Sequence, residues 1–282
     1  MSLTNYQQKI VQYYRETENA YKDSWDLEQS LSIHYGYRDD QARTFRQSLA
    51  RMNEVMAAAA GIRGKEKVLD AGCGVGGSSF FLARNFGCDV TGISLSKEQV
   101  EAAIKYYKKS PDVSVRFRVE DYCHTSFEGE CFDIVWGCES ICYAENKESF
   151  IREAYRILKP GGRLVVADGF VTKFQNNESP AIRKWLDGWQ VNYLETPERF
   201  DAMMRDAGFR DLMYQDISAQ TTDSVNRLYK FYWLASLYLL WKKISFSRPP
   251  TEMQRKNIAA CRYQYKARRN RLWEYGIITG TK

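Results

Sequence analysis

The spacing of apolar side chains divides the chain into a helical beginning and a longer region in which strands and helices alternate. Residues 1–60 are rich in helix formers, and the second helix predicted there has one apolar face, formed by Phe45, Leu49, Met52 and Met56. Beyond residue 66, short apolar runs typical of strands alternate with amphipathic stretches typical of helices. Elements of these lengths in this order predict a doubly wound parallel sheet with helices on both faces.

The end of the chain places a long helical section between two strands. The run "DLMYQDIS" predicts one strand and the closing "LWEYGIITGTK" predicts another. Because the section between them is helical and rich in aromatic residues, we interpret it as an insertion that caps the carboxyl ends of the sheet. The predicted organisation is a helical lid over 1–60, an α/β core over 61–222, the cap over 223–271 and a final core strand over 272–282.

Composition and charge fit a globular protein and narrow its partners. The chain has 282 residues, of which 44% are hydrophobic, and its formal net charge of +6 suits an anionic small molecule or an anionic membrane surface. Its seven cysteines include no C-x-x-C pair and only two histidines are present, so we expect reduced thiols, a cytoplasmic location and no metal site. The longest apolar run, "FYWLASLYLLW", is shorter than the ~20 residues that a membrane span needs.

The stretch "VLDAGCGVGG" carries the first chemical signal. Gly72, Gly74 and Gly77 fit the G-x-G-x-x-G pattern of nucleotide-binding turns, which is weak on its own. Asp70 ends the preceding strand, where it would repel the pyrophosphate of a dinucleotide by about 1–4 kcal/mol. The same carboxylate would attract the ammonium and sulfonium of S-adenosylmethionine. At the end of the next predicted strand, Ser94 replaces the acid that holds the ribose of a nicotinamide cofactor, which favours the same choice.

The chain resembles a known enzyme family through five motifs that occur in the family's order over residues 67–168. They are "VLDAGCGVGG", "GISLSKEQVEAA", "VEDY", "FDIVW" and "LKPGGRLVV", and they are similar to the motif series of class I S-adenosylmethionine-dependent methyltransferases. Within that class, "SLSKEQ" and "CESICYA" resemble the branch of sterol, tocopherol and prenyl diphosphate C-methyltransferases and cyclopropane fatty acid synthases. The resemblance implies a Rossmann-like seven-stranded sheet with an antiparallel last strand, with S-adenosylmethionine as cofactor and S-adenosylhomocysteine as product.

The resemblance assigns cofactor contacts to the glycine turn, to the neighbouring strand ends and to the lid. Ser94 and Gln99 are expected at the ribose and Asp121 at the adenine amino group. Tyr14, from an aromatic cluster with Tyr21, Trp25, Tyr35 and Tyr37, is expected at the sulfonium, which an aromatic face attracts by ~0.5–2 kcal/mol. The structural alternatives are a helix cap for Ser94, a solvated side chain for Gln99 and core packing for the aromatic cluster. The predicted cofactor set is Tyr14, Asp70, Gly72, Cys73, Gly74, Gly76, Ser94, Gln99, Asp121 and Tyr122.

Three further residues are candidate catalytic groups: Glu139, Tyr143 and His34. Glu139 follows the apolar run "FDIVWGC" and should face the site from the carboxyl end of a strand. In the similar sterol and prenyl C-methyltransferases, a glutamate here stabilises a cationic intermediate. Tyr143 is expected to line the acceptor pocket, and His34 in "SIHYGY" would contact the acceptor from the lid. The structural alternatives are that Glu139 accepts a hydrogen bond from a backbone N–H and that His34 forms hydrogen bonds only within the protein.

These features predict an S-adenosylmethionine-dependent methyltransferase that acts on a small hydrophobic acceptor, either a prenylated ring, a sterol-like lipid or a prenyl chain. Two alternatives stay open: O- or N-methylation of a small molecule such as a quinone or an alkaloid, and a relative that binds the cofactor without chemistry. The single basic cluster "KARRNR" and the apolar cap disfavour a nucleic-acid acceptor. The run "RLYKFYWLASLYLLWKK" fits a buried cap helix, an acceptor wall or a transient contact with a membrane surface. The sequence does not specify an oligomeric state.

Overall fold

Three helices begin the fold. The computed structural model describes residues 3–25, 27–108, 112–244 and 249–282, except the side chains of residues 18–25, 28, 29 and 240–244. The first helices are α1 Asn5–Trp25, α2 Leu27–Ser30 and α3 Phe45–Ala59. Helix α3 begins at a capping box in which the Thr44 side chain accepts from the N–H of Gln47 and the Gln47 side chain accepts from the N–H of Thr44. Its buried face includes Leu49, Met52 and Met56, as their spacing predicts.

Seven strands of the described chain form one sheet, namely β1 Lys67–Ala71, β2 Asp89–Ser94, β3 Val115–Val119, β4 Phe132–Cys138, β5 Leu158–Val171, β6 Arg210–Asp216 and β7 Trp273–Thr281. Their order across the sheet is β3-β2-β1-β4-β5-β7-β6. The first five strands are parallel, and β7 is antiparallel to both of its neighbours. The predicted doubly wound, Rossmann-like sheet with an antiparallel last strand is confirmed.

Helices cover both faces of the sheet. They are α4 Gly77–Phe86, α5 Lys97–Tyr107, α6 Lys147–Ile157, α7 Pro180–Trp189, α8 Pro197–Ala207, α9 Thr222–Ile244 and α10 Glu252–Arg269. Val68 and Ile134 pack with α3, α4, α7 and α10, whereas Leu69 and Val135 pack with α6 and α8. This alternation follows from the two-residue period of a strand and buries the sheet on both sides.

The sheet changes its winding direction at β1, which pairs with β2 on one side and with β4 on the other. In such sheets, ligands bind in the crevice outside the carboxyl ends of the strands at this point. Asp70 lies near the end of β1, Ser94 ends β2 and Glu139 directly follows β4. Predicted site residues from three strands therefore lie at one edge.

Helices α9 and α10 occupy the stretch predicted as the cap, between β6 and β7. Helix α10 packs closely on α7, where a Cβ on Gly188 would lie 2.4 Å from the backbone O of Lys256 and 2.7 Å from the Cβ of Ala260. Helix α10 also contacts α1, the first helix of the lid, because Asn257 Nδ2 donates to Tyr13 Oη at 2.6 Å. The predicted domain boundaries stay predictions. Over the described residues, no helix combines the length and apolar character that crossing a membrane requires.

The close contact between α7 and α10 can be tested by adding one methyl group. Gly188→Ala should lower the free energy of unfolding by about 1–3 kcal/mol, because its Cβ would overlap backbone atoms of α10. Denaturant unfolding followed by circular dichroism measures the change. Gly129→Ala is the matched control, since a Cβ there would lie 3.4 Å from the nearest atom, the backbone O of Arg156. Wild-type stability in Gly188→Ala would show that the two helices are farther apart.

Candidate active site

Two cavities lie at the carboxyl ends of the strands. The first is bordered by α1, the segment after α2, the glycine turn and the ends of β2 and β4. The second is bordered by the ends of β4 and β5 and by α7, α9 and β7. Tyr14, Ile33, Glu139 and Tyr143 border both cavities. The cavities therefore meet at these side chains.

The turn after β1 brings the backbone to the wall of the first cavity. Gly72 and Gly74 have left-handed backbone angles, with φ of 87° and 54°, which residues with a Cβ rarely adopt. A Cβ on Gly74 would meet no atom within 4 Å, so open space adjoins the turn. Gly72, Cys73 and Gly74 border the cavity, whereas Gly76 lies against the ring of Phe117 and is not among the bordering residues.

Asp70 is a buried carboxylate at the wall of the first cavity, with only 2% of its surface exposed. Its Oδ2 accepts a hydrogen bond from Ser79 Oγ at 2.6 Å. Burial raises the pKa of Asp70 to about 6, although hydrogen bonds from Ser79 favour the ionised form. A cation in the cavity would stabilise that ionised form, so this wall favours a positively charged ligand.

The end of β2 and the residues after β3 supply polar groups to the same cavity. Ser94 Oγ donates to Gln99 Oε1 at 2.8 Å, and both residues border the cavity. Tyr122 borders it too, and its hydroxyl donates to the backbone O of Ser140 at 2.8 Å. Hydroxyl and amide groups of this kind suit the hydroxyls of a sugar.

The lid helix α1 closes one side of both cavities. Tyr14 borders both, and its ring centroid lies 5.7 Å from that of Tyr143. In the first turn of α1, Gln7 Nε2 donates to Asp121 Oδ2 at 2.6 Å. Asp121 is not among the residues that border the first cavity, and its other oxygen accepts from the N–H of Cys123 at 2.8 Å.

The rest of the predicted aromatic cluster is only partly at the site. Tyr35 borders the second cavity, and Tyr37 packs against the hydrophobic cluster under the lid. The side chains of Tyr21 and Trp25 lie outside the described residues.

Glu139 stands where the two cavities meet. Its backbone is left-handed, with φ of 49°, an uncommon conformation for a residue with a long side chain. Its Oε1 accepts from the N–H of Tyr35 and, at 2.7 Å, from the hydroxyl of Tyr275. Burial raises the pKa of Glu139 to about 8, while these two hydrogen bonds favour the ionised form. The side chain is thus anchored through one oxygen at the boundary between the cavities.

The second cavity is lined largely by apolar and aromatic side chains, including Trp185, Leu186, Trp189, Leu194, Leu228 and Trp273. The indole rings of Trp185 and Trp273 are tilted, with centroids 4.7 Å apart. Two carboxylates, Glu139 and Asp168, also border the cavity. Among the described residues that line it there is no lysine, arginine or histidine. The cavity therefore suits an apolar ligand and disfavours an anionic one.

His34 borders the first cavity, but both of its ring nitrogens are close to protein partners. Nδ1 donates to the backbone O of Tyr35 at 2.9 Å, and Nε2 lies 3.5 Å from Nδ2 of Asn53. Burial lowers the pKa of His34 below its usual value. Asn53 in turn accepts from Ser78 Oγ of α4 at 2.8 Å. These contacts join the lid segment to the core, and the catalytic role of His34 stays a prediction.

Comparison with known proteins identifies the family. Residues 69–166 match the family described as "Methyltransferase domain". The chain is 31% identical over 208 residues to the 27-O-demethylrifamycin SV methyltransferase of Amycolatopsis mediterranei (strain S699), an alignment that covers 73% of this chain and 76% of that relative. The chain belongs to the S-adenosylmethionine-dependent methyltransferases.

Other relatives agree with this family. The methyltransferase is 37% identical over 187 residues to the 2-methyl-6-phytyl-1,4-hydroquinone methyltransferase of Synechocystis sp. (strain ATCC 27184 / PCC 6803 / Kazusa), which covers 61% of this chain and 58% of the relative. It is 34% identical over 184 residues to the sterol 24-C-methyltransferase ERG6 of Saccharomyces cerevisiae (strain ATCC 204508 / S288c), covering 64% of this chain and 46% of the relative. The chain thus spans about half the length of these two proteins.

The fold occurs in enzymes with different activities. The [4+2]-cyclase SpnF superposes with a TM-score of 0.78 at 23% identity, covering 98% of this chain and 95% of that chain. A geranyl diphosphate methyltransferase in complex with geranyl diphosphate and sinefungin superposes with a TM-score of 0.76 at 20% identity, covering 99% of both chains. Because one of these neighbours is a cyclase, the fold alone does not specify methyl transfer.

The first cavity of the methyltransferase fits S-adenosylmethionine, the cofactor of the family. The buried carboxylate of Asp70 complements a cation, and the open space beside Gly74 leaves room for a ligand against the backbone. Ser94 and Gln99 present groups that hydrogen-bond to sugar hydroxyls. The ring of Tyr14 lies at the boundary with the second cavity, where an aromatic face attracts a sulfonium.

Sequence reasoning missed two residues of the site. Asp168 in β5 borders the second cavity, and its two oxygens accept from the N–H groups of Cys142 and Gly169 at 2.8 Å. Burial raises its pKa to about 6. An acid at the end of the apolar run "RLVVAD" was a usable signal, the same one that identifies Glu139. Tyr275 had no local signal, because its contact with Glu139 depends on the pairing of β7 with β5.

The charge of Asp70 can be tested by cofactor affinity. Asp70→Ala should weaken the binding of S-adenosylhomocysteine to the methyltransferase by more than tenfold, or about 1.4 kcal/mol, because the ligand's ammonium loses a buried counter charge. Titration calorimetry measures the affinity. Asp133→Ala is the control, since Asp133 lies at the opposite end of the sheet and pairs with Lys159. An unchanged affinity in Asp70→Ala would contradict the assignment of this carboxylate.

The anchor of Glu139 can be tested by its titration. Tyr275→Phe should raise the pKa of Glu139 further, because it removes a hydrogen bond that stabilises the ionised carboxylate. Infrared difference spectra of the carboxyl C=O band against pH measure this pKa, with Glu139→Gln identifying the band. Tyr214→Phe is the control, because it removes a bond to Glu274 at 2.6 Å that lies outside both cavities. Identical titrations in wild type and Tyr275→Phe would rule out the bond.

Proposed function

We propose that the methyltransferase transfers a methyl group from cofactor in the first cavity to a hydrophobic small molecule in the second. The acceptor class is a prenylated ring, a sterol-like lipid or a prenyl chain. The observation that carries the proposal is that Tyr14, Ile33, Glu139 and Tyr143 border both cavities. A methyl group at this boundary is within reach of an acceptor on the other side.

Each part of the first cavity has a role in this proposal. Asp70 pairs with the cationic methionine portion of the cofactor, and the turn from Gly72 to Gly74 contacts it through the backbone. Ser94 and Gln99 bind the ribose, and Tyr122 lies beside the adenine. The adenine role of Asp121 requires the Gln7 side chain to release one carboxylate oxygen, since Gln7 now donates to it at 2.6 Å.

The lining of the second cavity supports an acceptor without a phosphate group at that place. Its aromatic and aliphatic walls stabilise apolar ligands, and its two carboxylates repel anions. Two relatives, named as a phytyl hydroquinone methyltransferase and a sterol methyltransferase, act on molecules with this apolar character. Geranyl diphosphate is bound by a structural neighbour, but its diphosphate would find no basic partner among the described residues that line this cavity.

The proposed mechanism depends on alignment and on the electrostatics of Glu139. S-adenosylmethionine supplies, when bound, a methyl group that is already activated by a sulfonium. The side chains of Tyr14 and Tyr143 narrow the boundary and restrict the approach of the acceptor. Ionised Glu139 stabilises positive charge that develops on the acceptor, and such a charge in turn lowers its pKa from about 8. Burial excludes water, which strengthens this interaction.

N-methylation is the second candidate, and one observation favours it. Carboxylates and aromatic rings around the second cavity also attract a protonated amine. O-methylation is supported by the similarity to the 27-O-demethylrifamycin SV methyltransferase. The proposal includes no nucleic acid and adds a transient contact with a membrane surface, where hydrophobic acceptors accumulate. The proposal also includes a cytoplasmic location.

The role of Glu139 separates cofactor binding from methyl transfer. Glu139→Gln should keep its affinity for S-adenosylhomocysteine and lose at least tenfold in transfer, because a neutral amide no longer stabilises a cation. Calorimetry with S-adenosylhomocysteine, and with NADH as a negative ligand, measures the affinity. Radiolabelled methyl transfer to a panel of prenylated quinols, sterols, prenyl alcohols and tertiary amines measures the activity.

Glu274→Gln is the matched control for this experiment. Glu274 also accepts a hydrogen bond from a tyrosine hydroxyl, that of Tyr214, but does not border either cavity. It should keep both cofactor binding and transfer. Full transfer by Glu139→Gln would refute the role of this carboxylate, and binding of NADH in place of S-adenosylhomocysteine would refute the cofactor roles proposed for the first cavity.

A further inference from the structure

The outer face of α9 exposes a group of large apolar side chains. Trp233, Leu234, Leu237 and Tyr238 are between 51% and 67% exposed. They occupy positions i, i+1, i+4 and i+5 of the helix, which lie on one face. The other exposed large hydrophobic residues of the described chain lie on separate elements and are Ile104, Val119, Phe174 and Met213. We term the four residues of α9 the α9 patch.

Packing against the core does not account for the α9 patch. The opposite face of the helix already supplies the core with Val225, Leu228 and Ala235, which are buried. Leu228 also borders the second cavity. A surface helix normally has one apolar face, so a second one indicates contact with something outside the molecule.

The residue types in and around the α9 patch identify that contact. Tryptophan and tyrosine are enriched where proteins meet the interface of a bilayer, and leucine suits its acyl region. Lys230 is exposed one turn before the patch. Tyr232 directly precedes the α9 patch in the sequence, and the guanidinium of Arg262 lies 5.7 Å from the centroid of its ring. Between residues 224 and 244 the sequence has four basic residues and no acidic one.

We propose that the α9 patch docks on an anionic lipid bilayer. The apolar side chains enter the interface, and Lys230 lies against lipid phosphates. A second copy of the chain is a poorer partner, because a symmetric contact would place two copies of a helix with four basic residues and one acidic residue against each other. The inference rests on the proposed function, since a hydrophobic acceptor resides in lipid and the helix that docks also borders the acceptor cavity through Leu228.

Vesicle flotation with the full chain tests this proposal. The wild type should float with phosphatidylcholine vesicles that contain phosphatidylglycerol, and Leu234→Ser/Leu237→Ser should lose most of that binding. Lys230→Glu should reduce binding to the anionic vesicles several-fold. Met213→Ser is the matched control: Met213 is 63% exposed on β6, against 67% for Leu234 and 64% for Leu237, and its loss should change nothing.

Three outcomes would overturn the proposal. They are no flotation of the wild type, equal flotation of the wild type and the double variant, and a wild-type dimer in sedimentation velocity that the double variant loses. Calorimetry with S-adenosylhomocysteine accompanies each variant. Wild-type affinity shows that the double variant is folded. A chain that binds S-adenosylhomocysteine and transfers methyl groups to a detergent-solubilised acceptor, but does not float, would refute the docking surface and leave the proposed function standing.

Discussion

Three carboxylates at one edge of the sheet, two of them buried and one partly buried, impose the main constraint on this molecule. Asp70 lies in β1, Glu139 directly follows β4, and Asp168 lies in β5. These three strands are neighbours in the sheet. Burial raises their pKa values to about 6, 8 and 6. Ionising them in the folded protein therefore costs free energy, and a nearby cation would offset that cost. The two hydrophobic clusters, the lid and the cap keep water away, so the site favours cationic ligands.

Elements from opposite ends of the chain enclose these carboxylates. Tyr13 of the lid helix accepts a hydrogen bond from Asn257 of α10, and Gln254 Nε2 donates to the backbone O of Glu16 at 3.0 Å. Lid and cap are thus connected directly as well as through the core. A displacement of α1 would open both cavities, because Tyr14 borders each of them. Access to the two cavities is coupled through one helix.

Local patterns predict the parts of the site that depend on single strands. Asp70, Ser94 and Glu139 each end or follow an apolar run, and the alternation of strands and helices is enough to bring them to one edge. Asp168 ends a similar run and could have been found in the same way. Tyr275 could not, because its hydrogen bond to Glu139 joins residues 136 positions apart and depends on strand register. Side-chain contacts of this kind are set by tertiary packing, which short sequence windows do not contain.

The shared wall between the cavities has a consequence for inhibitor design. A single molecule that fills both spaces needs only a short bridge past Tyr14, Glu139 and Tyr143, because the same side chains border each cavity. A nucleoside joined through a protonated amine to an apolar tail would place its charge beside Glu139. Tethering makes the second contact intramolecular, so such a bisubstrate ligand would bind more tightly than either half. Its selectivity would come from the tail, since that half occupies the apolar cavity bordered by α7, α9 and β7.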